Sequence, residues 1–326
     1  MKTVLKLLGV LLLIFFAGFG YFYFRDPRMA PPKNIVVDKS PERIARGKYI
    51  FTNLSYCDDC HSEQDFSRLA RPVDPATRGY GKLMADKDMP GEIYAANITP
   101  DMETGIGSWT DGEKIRAIRE GVDKNGRALF PIMPYQFYRY MSDEDVEALV
   151  AYLDTMPAVK HKLPATRVNF PDSMWMKGDP RPVAGPINTP DRKDILRYGE
   201  YLQTISHCEV CHTPYPELKP DLRYRLAGGR RFVTPAGTVY SANITPDKAT
   251  GIGDWDFTRF KQRLTTFREY ENAEGPPKIG PDRFTMMPYE AYSHMADEDM
   301  QAIFSFLQTV TPIRHKMDAY KGELPE

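Results

Sequence analysis

Thiols are scarce in this chain: its 326 residues include four cysteines, at positions 57, 60, 208 and 211. All four fall inside two short motifs, so none is left for a structural disulfide, and the cysteine count does not by itself report an oxidising compartment. An excess of charge of one sign is also missing. The 43 Lys and Arg nearly balance the 44 Asp and Glu, for a formal net charge of -1. That balance argues against a nucleic-acid partner and against strong electrostatic steering. The hydrophobic fraction of 42% and charged fraction of 27% are ordinary for a chain with a buried core. At roughly 150 residues per domain, the length predicts about two domains. The 28 prolines predict much irregular loop around short helices.

What is present is one pattern used twice, Cys57-Asp58-Asp59-Cys60-His61 and Cys208-Glu209-Val210-Cys211-His212. C-x-x-C-H is the attachment pattern of c-type haem. Two thiols one helical turn apart can each form a thioether to a porphyrin vinyl group, and the adjacent histidine then lies under the ring as an iron ligand. A zinc half-site or a thioredoxin-type dithiol would use the same cysteines. The pairs are too far apart for a compact zinc spacing, and no βαβ pattern surrounds either.

The remainder of the chain repeats around these motifs. Arg46-Gly47-Lys48-Tyr49 returns as Tyr198-Gly199-Glu200-Tyr201, and Asn97-Ile98-Thr99-Pro100-Asp101 as Asn243-Ile244-Thr245-Pro246-Asp247. Thr-Gly-Ile-Gly-x-Trp ends at Trp109 and Trp255, and Met133-Pro134-Tyr135 returns as Met287-Pro288-Tyr289. Apolar spacing of three and four residues predicts closing helices over Ser142 to Met156 and Ala296 to Val310, with Ser142 and Asp145 resembling a capping box. Helices starting near Pro41 and Asp191 lead into the motifs. Gly47 and Gly199 lie at matching places inside them, where glycine weakens a helix by about 1 kcal/mol and so points to close helix crossing. The boundaries follow: an anchor and spacer over 1–30, units over 38–160 and 191–326, and a proline-rich linker over 161–190, which lacks helical periodicity and is read as wrapped on the surface. About eight extra residues around Glu271 to Asp282 form an added loop in the second unit.

The repeat also selects the second iron ligand. Met133 and Met287 coincide, whereas Met89 aligns with Pro235, and Met286 aligns with Ile132. Core gap-filling is the alternative for the two matched methionines. His161 and His315 also match, but both follow a terminal helix and its proline, where a basic group complements the helix dipole at the surface. His207 is expected at the crevice or its rim. Asn97, Asn243, Trp109 and Trp255 are candidate donors to haem propionates, against plain turn chemistry for the asparagines and plain core for the tryptophans.

At the N-terminus, Lys2 and Lys6 precede an apolar run from Leu7 to Phe24. That run approaches the ~20 residues of a membrane span and exceeds a signal-peptide core. It predicts an uncleaved transmembrane helix, with the body outside the bacterial inner membrane, in the periplasm, because haem is attached there. Residues 26–37 read as a polar spacer holding the body off the membrane.

Over residues 40–326 the sequence resembles class I cytochromes c, and more closely the cytochrome subunits of bacterial membrane-associated dehydrogenases for alcohols, gluconate and related substrates. The resemblance implies an all-α fold, two tandem class I domains behind an N-terminal transmembrane helix, and two covalent haems c. It implies thioethers at Cys57, Cys60, Cys208 and Cys211, proximal His61 and His212, and distal Met133 and Met287. Those subunits typically carry three haem units and attach to the membrane towards the C-terminus, unlike this chain. The expected role is electron transfer without catalysis, from a dehydrogenase or quinol-oxidising complex to an oxidase or soluble cytochrome. A di-haem peroxidase or thiosulfate-oxidising enzyme is the alternative, and it would need an exchangeable distal position.

Overall fold

A computed structural model of the chain describes residues 2–84, 89–216, 219–234, 237–270 and 285–317. Helix α1 (Lys2–Phe24) carries apolar side chains on every side and buries none of its residues against the protein. Its 23 residues extend about 34 Å at ~1.5 Å per residue, enough to cross a hydrocarbon layer of about 30 Å. The segment after it differs from the expected free spacer. Val37 is buried, and its N–H donates to Asp111 Oδ2 at 2.8 Å, so the chain lies against the body rather than standing between body and membrane.

Helix α2 (Pro41–Tyr49) starts on a proline whose missing N–H costs nothing in the first turn. It continues through a wider turn over Ile50–Leu54, where Ser55 N–H reaches back to the Ile50 carbonyl. α3 (Asp58–His61) follows. α4 (Asp111–Glu120) begins on a reciprocal Thr110–Glu113 capping box, a signal the sequence held and the apolar pattern did not reveal. α5 (Tyr135–Tyr138) and α6 (Asp143–Leu153) complete the first half. Ser142 caps α6 by accepting the Asp145 N–H, but the Asp145 carboxylate turns to Arg46 and Tyr201, so the reciprocal half of the expected box is replaced.

The linker carries short local structure. Arg167–Val168 pairs antiparallel with Gly91–Glu92, and α7 (Asp172–Trp175) runs into a 3-10 turn over Met176–Gly178. Four residues are too short to show periodicity. The second half repeats the first: α8 (Ile195–Ile205), α9 (Cys208–His212), α10 (Phe257–Thr265), α11 (Tyr289–Tyr292) and α12 (Asp297–Leu307). α8 begins at the Asp194 cap rather than near Asp191, which instead folds a local turn onto Lys193 N–H. α6 and α12 stop at Leu153 and Leu307, short of the expected ends. The fold is helix-rich with short antiparallel ladders, Lys82–Leu83 with Tyr94–Ala95 and Arg231–Thr234 with Gly237–Tyr240, rather than purely helical. The expected added loop around 271–282 lies outside the described residues.

Two helix crossings hold the halves. α2 crosses α6 at Gly47, where an added Cβ would lie 1.8 Å from the Ala148 carbonyl oxygen. α8 crosses α12 at Gly199, where the same atom would lie 2.0 Å from the Ala302 oxygen. The clash is with backbone, which cannot rotate away. Between the halves the contacts are reciprocal. Tyr49 of α2 donates to Asp299 of α12, and Tyr201 of α8 donates to Asp145 of α6. Since Tyr49 matches Tyr201 and Asp145 matches Asp299, each half gives and receives the same bond.

Gly47→Ala and Gly199→Ala are each expected to destabilise the folded chain by at least about 2 kcal/mol, in the upper range for overpacking because the obstacle is backbone. Denaturant unfolding of the purified protein reads this directly, and an unchanged midpoint for either variant would contradict the crossing.

Candidate haem sites

Each motif is entered through a left-handed residue, Tyr56 at φ 42° and His207 at φ 43°. Neither is glycine, so each conformation is held by its surroundings at a cost of about 1–2 kcal/mol. The bend swings the chain from the long helix into α3 or α9. Two cysteines three apart on one helical turn then share a face. The histidine that follows is oriented by the backbone. His61 Nδ1 lies 2.7 Å from the Ala96 carbonyl oxygen, and His212 Nδ1 lies 2.7 Å from that of Ala242. A carbonyl only accepts, so Nδ1 carries the proton and Nε2 is the lone-pair nitrogen. Burial pushes the His61 imidazolium down to about 4 and moves His212 the same way. Both rings are neutral at pH 7, the form that ligates a metal.

The carbonyls that receive these protons belong to the repeated Asn-Ile-Thr-Pro-Asp block. Asn97 Oδ1 accepts from Thr99 N–H at 3.0 Å and Thr99 Oγ1 at 2.7 Å, and its amide donates to Thr104 Oγ1 at 3.1 Å and the Val159 carbonyl at 2.8 Å. Asn243 repeats this with Thr245, Thr250 and the Ile313 carbonyl. Both amide hydrogens of each asparagine are engaged inside the loop. The asparagines clamp the residue next to the carbonyl that orients each histidine.

His161 and His315 depart from the expected surface role. His161 Nδ1 is 3.0 Å from the Tyr80 carbonyl oxygen, and its ring stacks on Tyr80 at 4.2 Å. His315 Nδ1 is 3.0 Å from the Ala227 oxygen. The next residues, Gly81 and Gly228, donate to the carbonyls of His61 and His212. Both rings therefore brace the segment that bonds the attachment motif.

Several contributors escaped the sequence reading. Asp58 pairs with Arg78 at 3.0 Å and Glu209 with Arg225 at 2.7 Å, matched acids inside the motifs with matched arginines beyond them. Aligning the repeat residue by residue would have found them. Lys82 Nζ donates to the Asp59 carbonyl and Arg230 Nη1 to the Val210 carbonyl, two cations holding the same peptide of the cysteine loop from different registers.

Met133 and Met287 are half-buried against the core, each at the start of an identical Pro-capped turn. That turn is tied to its own motif. Tyr138 Oη donates to the Ser55 carbonyl at 3.2 Å, and Tyr292 Oη to the Ser206 carbonyl at 3.0 Å, each acceptor two residues before the first cysteine. Trp109 and Trp255 are half-buried against the same core, with the Arg259 guanidinium 4.6 Å from the Trp255 ring centre.

The two motifs meet. His207 Nε2 lies 3.1 Å from the Ser55 carbonyl oxygen, and Ser55 Oγ donates to the Ile205 carbonyl at 3.0 Å. His207 therefore sits at the joint between the motifs rather than at a rim. Arg71, 2% exposed and in left-handed conformation, spans the same joint. It pairs with Asp59 at 2.8 Å and donates to the Met286 carbonyl at 3.0 Å. Burial works to raise the Asp59 carboxyl, but Arg71, the hydrogen bond from Gln64 and the nearby Lys82 together outweigh it and hold the group below its usual range.

The donor set fits a covalently attached haem: paired half-buried thiols and a neutral imidazole with one ring nitrogen already bonded to the backbone. No family model matches the chain. It is 28% identical over 283 residues to a gluconate 2-dehydrogenase cytochrome c subunit of Pantoea cypripedii, covering 82% of this chain and 59% of that one. It is 31% identical over 278 residues to a fructose dehydrogenase cytochrome subunit of Gluconobacter japonicus, covering 82% of this chain and 52% of that one. The chain thus spans between half and three fifths of the length of those two dehydrogenase subunits. With a diheme cytochrome c-type protein of Cereibacter sphaeroides it shares 30% identity over 283 residues, 82% of this chain and 86% of the relative. An aligned stretch that takes in most of both chains, together with histidines and thiols arranged as c-type haem requires, places this protein in the family of c-type cytochromes that includes the diheme protein of Cereibacter sphaeroides.

Proposed function

We propose that the chain is a membrane-anchored, periplasmic electron carrier with two haems c, one in each of two tandem units, 38–160 and 191–326. The observation that carries this reading is the duplicated imidazole: His61 and His212 are each neutral and each fixed through Nδ1 to a backbone carbonyl. Haem c, once attached, supplies a one-electron Fe(III)/Fe(II) couple. Cys57, Cys60, Cys208 and Cys211 hold it covalently. His61 and His212 would bind the iron through Nε2, and Met133 and Met287 would supply it with a neutral thioether, a ligand that favours the ferrous state and raises the potential. Trp109 and Trp255 are the proposed propionate donors. With both iron ligands supplied by the protein, the chain would pass electrons and turn over no substrate.

A dehydrogenase as the membrane-associated electron donor is proposed from the relatives' names; a quinol-oxidising complex as the other donor, and an oxidase or soluble cytochrome as acceptor, are proposed from the sequence. A dehydrogenase co-purifying from gently solubilised membranes supports this partner. Purification of the cytochrome alone from membranes that retain dehydrogenase activity counts against it.

Met133→His and Met287→His test the ligand assignment. Each is expected to lower one of two reduction potentials and to remove about half of the near-infrared sulfur-to-iron absorption, leaving both haems low-spin. A high-spin signal in the resting wild-type protein, or no change in either potential, contradicts a closed carrier.

Arg71→Ala leaves Asp59 with less compensation and frees the Met286 carbonyl. It is expected to cost about 2–3 kcal/mol of stability. It is also expected to shift the potential of the second haem, although Arg71 belongs to the first half. Spectroelectrochemical titration with one haem distinguished by Met133→His reads that shift. A second-haem potential equal to the parent's would remove Arg71 from the site.

A further inference from the structure

The linker between the two halves reaches the transmembrane helix. Phe170 packs its ring 6.1 Å from that of Phe19, and Met174 lines a groove with Ile14, Phe15, Gly18, Phe19 and Phe22 of α1. Lys177 Nζ donates to the Tyr23 carbonyl at 2.8 Å. On the proposed reading of α1 as a membrane span, these contacts fix a depth. Lys2 and Lys6 belong to one face of the bilayer, and the apolar run ends at Phe24. Gly18 then lies about 9 Å below Phe24 at ~1.5 Å per residue. Anything packed on that stretch of α1 is within the bilayer's outer boundary region.

The segment is built for that region. Phe170 and Trp175 are each 61% exposed, large apolar surfaces left uncovered by the protein. Ser173 N–H bonds the Asn169 carbonyl, and Met174 and Trp175 N–H both bond that of Pro171, which itself has no N–H, so these donors are met within the turn where water is scarce. Tyr21 and Tyr23 of α1 are exposed at the same level, and Lys177 closes the segment with a cation suited to headgroup phosphate. Aromatic side chains with an apolar body and a polar edge favour this interface.

We propose that residues 170–177 form a second membrane contact, with Phe170, Met174 and Trp175 inserted among the lipids of the outer leaflet beside α1. The chain is then held at two points on one surface, which limits how the haem-binding body can turn about its anchor. The partner is the lipid surface itself, favoured by continuity with the span.

The test uses the full-length holoprotein in vesicles of phosphatidylcholine, phosphatidylethanolamine and phosphatidylglycerol doped with a phosphatidylcholine that carries a diazirine on its acyl chain. After photolysis and trypsin digestion, lipid adducts are expected on the peptide of residues 168–177 as well as on peptides from α1, and not on the peptide starting at Tyr140, which is also exposed. Phe170→Glu combined with Trp175→Glu should abolish adducts on 168–177, leaving those on α1 and the haem spectrum as they are. Adducts on α1 alone overturn the second contact and leave the span standing. Absence of adducts on α1 too overturns the membrane anchor itself. Adducts found in vesicles but lost in native membranes, with α1 still labelled, mean another protein covers the segment, and overturn lipid as its occupant.

Discussion

The hydrogen bond from an imidazole Nδ1 to a backbone carbonyl governs how the rest of each half is built. It fixes which nitrogen carries the proton, and with it the direction of the Nε2 lone pair. A backbone carbonyl is an acceptor that cannot change protonation state, but it is only as well placed as its loop. That explains the length of the repeated block around Asn97 and Asn243. The asparagine locks Thr99 or Thr245 on one side and the strand leaving the closing helix on the other. The carbonyl of the preceding alanine is left with no freedom to drift. Removing the asparagine amide would strand two buried donors or acceptors at once, a cost of about 1–3 kcal/mol for each.

The second dependence is between the halves. Asp145 and Asp299 are each 2% exposed, and a buried carboxylate persists only with partners. Asp145 takes a bidentate bond from Arg46 of its own half and the hydroxyl of Tyr201 from the other. Asp299 takes Tyr198 from its own half and Tyr49 from the other. Each carboxylate thus completes its shell only when the other half is docked. This makes the joint specific as well as stable, because a rotated docking would leave two charges buried and short of a donor.

Much of each site was legible in the sequence because its parts are contiguous or recur. The attachment motifs, the Met-Pro-Tyr turns and the paired glycines all announce themselves as short strings at matched spacing. The glycine reading holds, since both positions meet a carbonyl of the closing helix. What stayed hidden depends on residues far apart in the chain. Tyr49 and Asp299 are separated by 250 positions, and Arg71 and Met286 by 215. An asparagine amide serves a loop or a ligand equally well until its neighbours are known; only the placement of the Val159 and Ile313 carbonyls decides it. Asp191 and Asp194 are both competent caps, so the start of α8 rested on tertiary packing. The linker helix is a single turn, below the length at which apolar periodicity can be seen.

Ser55 shows why the two sites are better regarded as one device. Its carbonyl accepts Tyr138 from its own methionine turn and His207 from the neck of the other motif, while its hydroxyl reaches the Ile205 carbonyl. It is fully enclosed. The two cysteine loops are therefore joined through the shell of one residue and not through a flexible tether. In a carrier, electron exchange between two haems falls steeply with separation and suffers when the separation fluctuates. On the proposed two-haem reading, the contact at Ser55 would keep that separation constant. The same contact predisposes the molecule to work as an asymmetric pair. Arg71 stands only on the first half, in a segment longer than its counterpart, and its charge lies beside the cysteine loop of one site and the methionine segment of the other. On the proposed two-haem reading, this unequal placement of the Arg71–Asp59 pair between the two sites would set their potentials apart without any change of ligand.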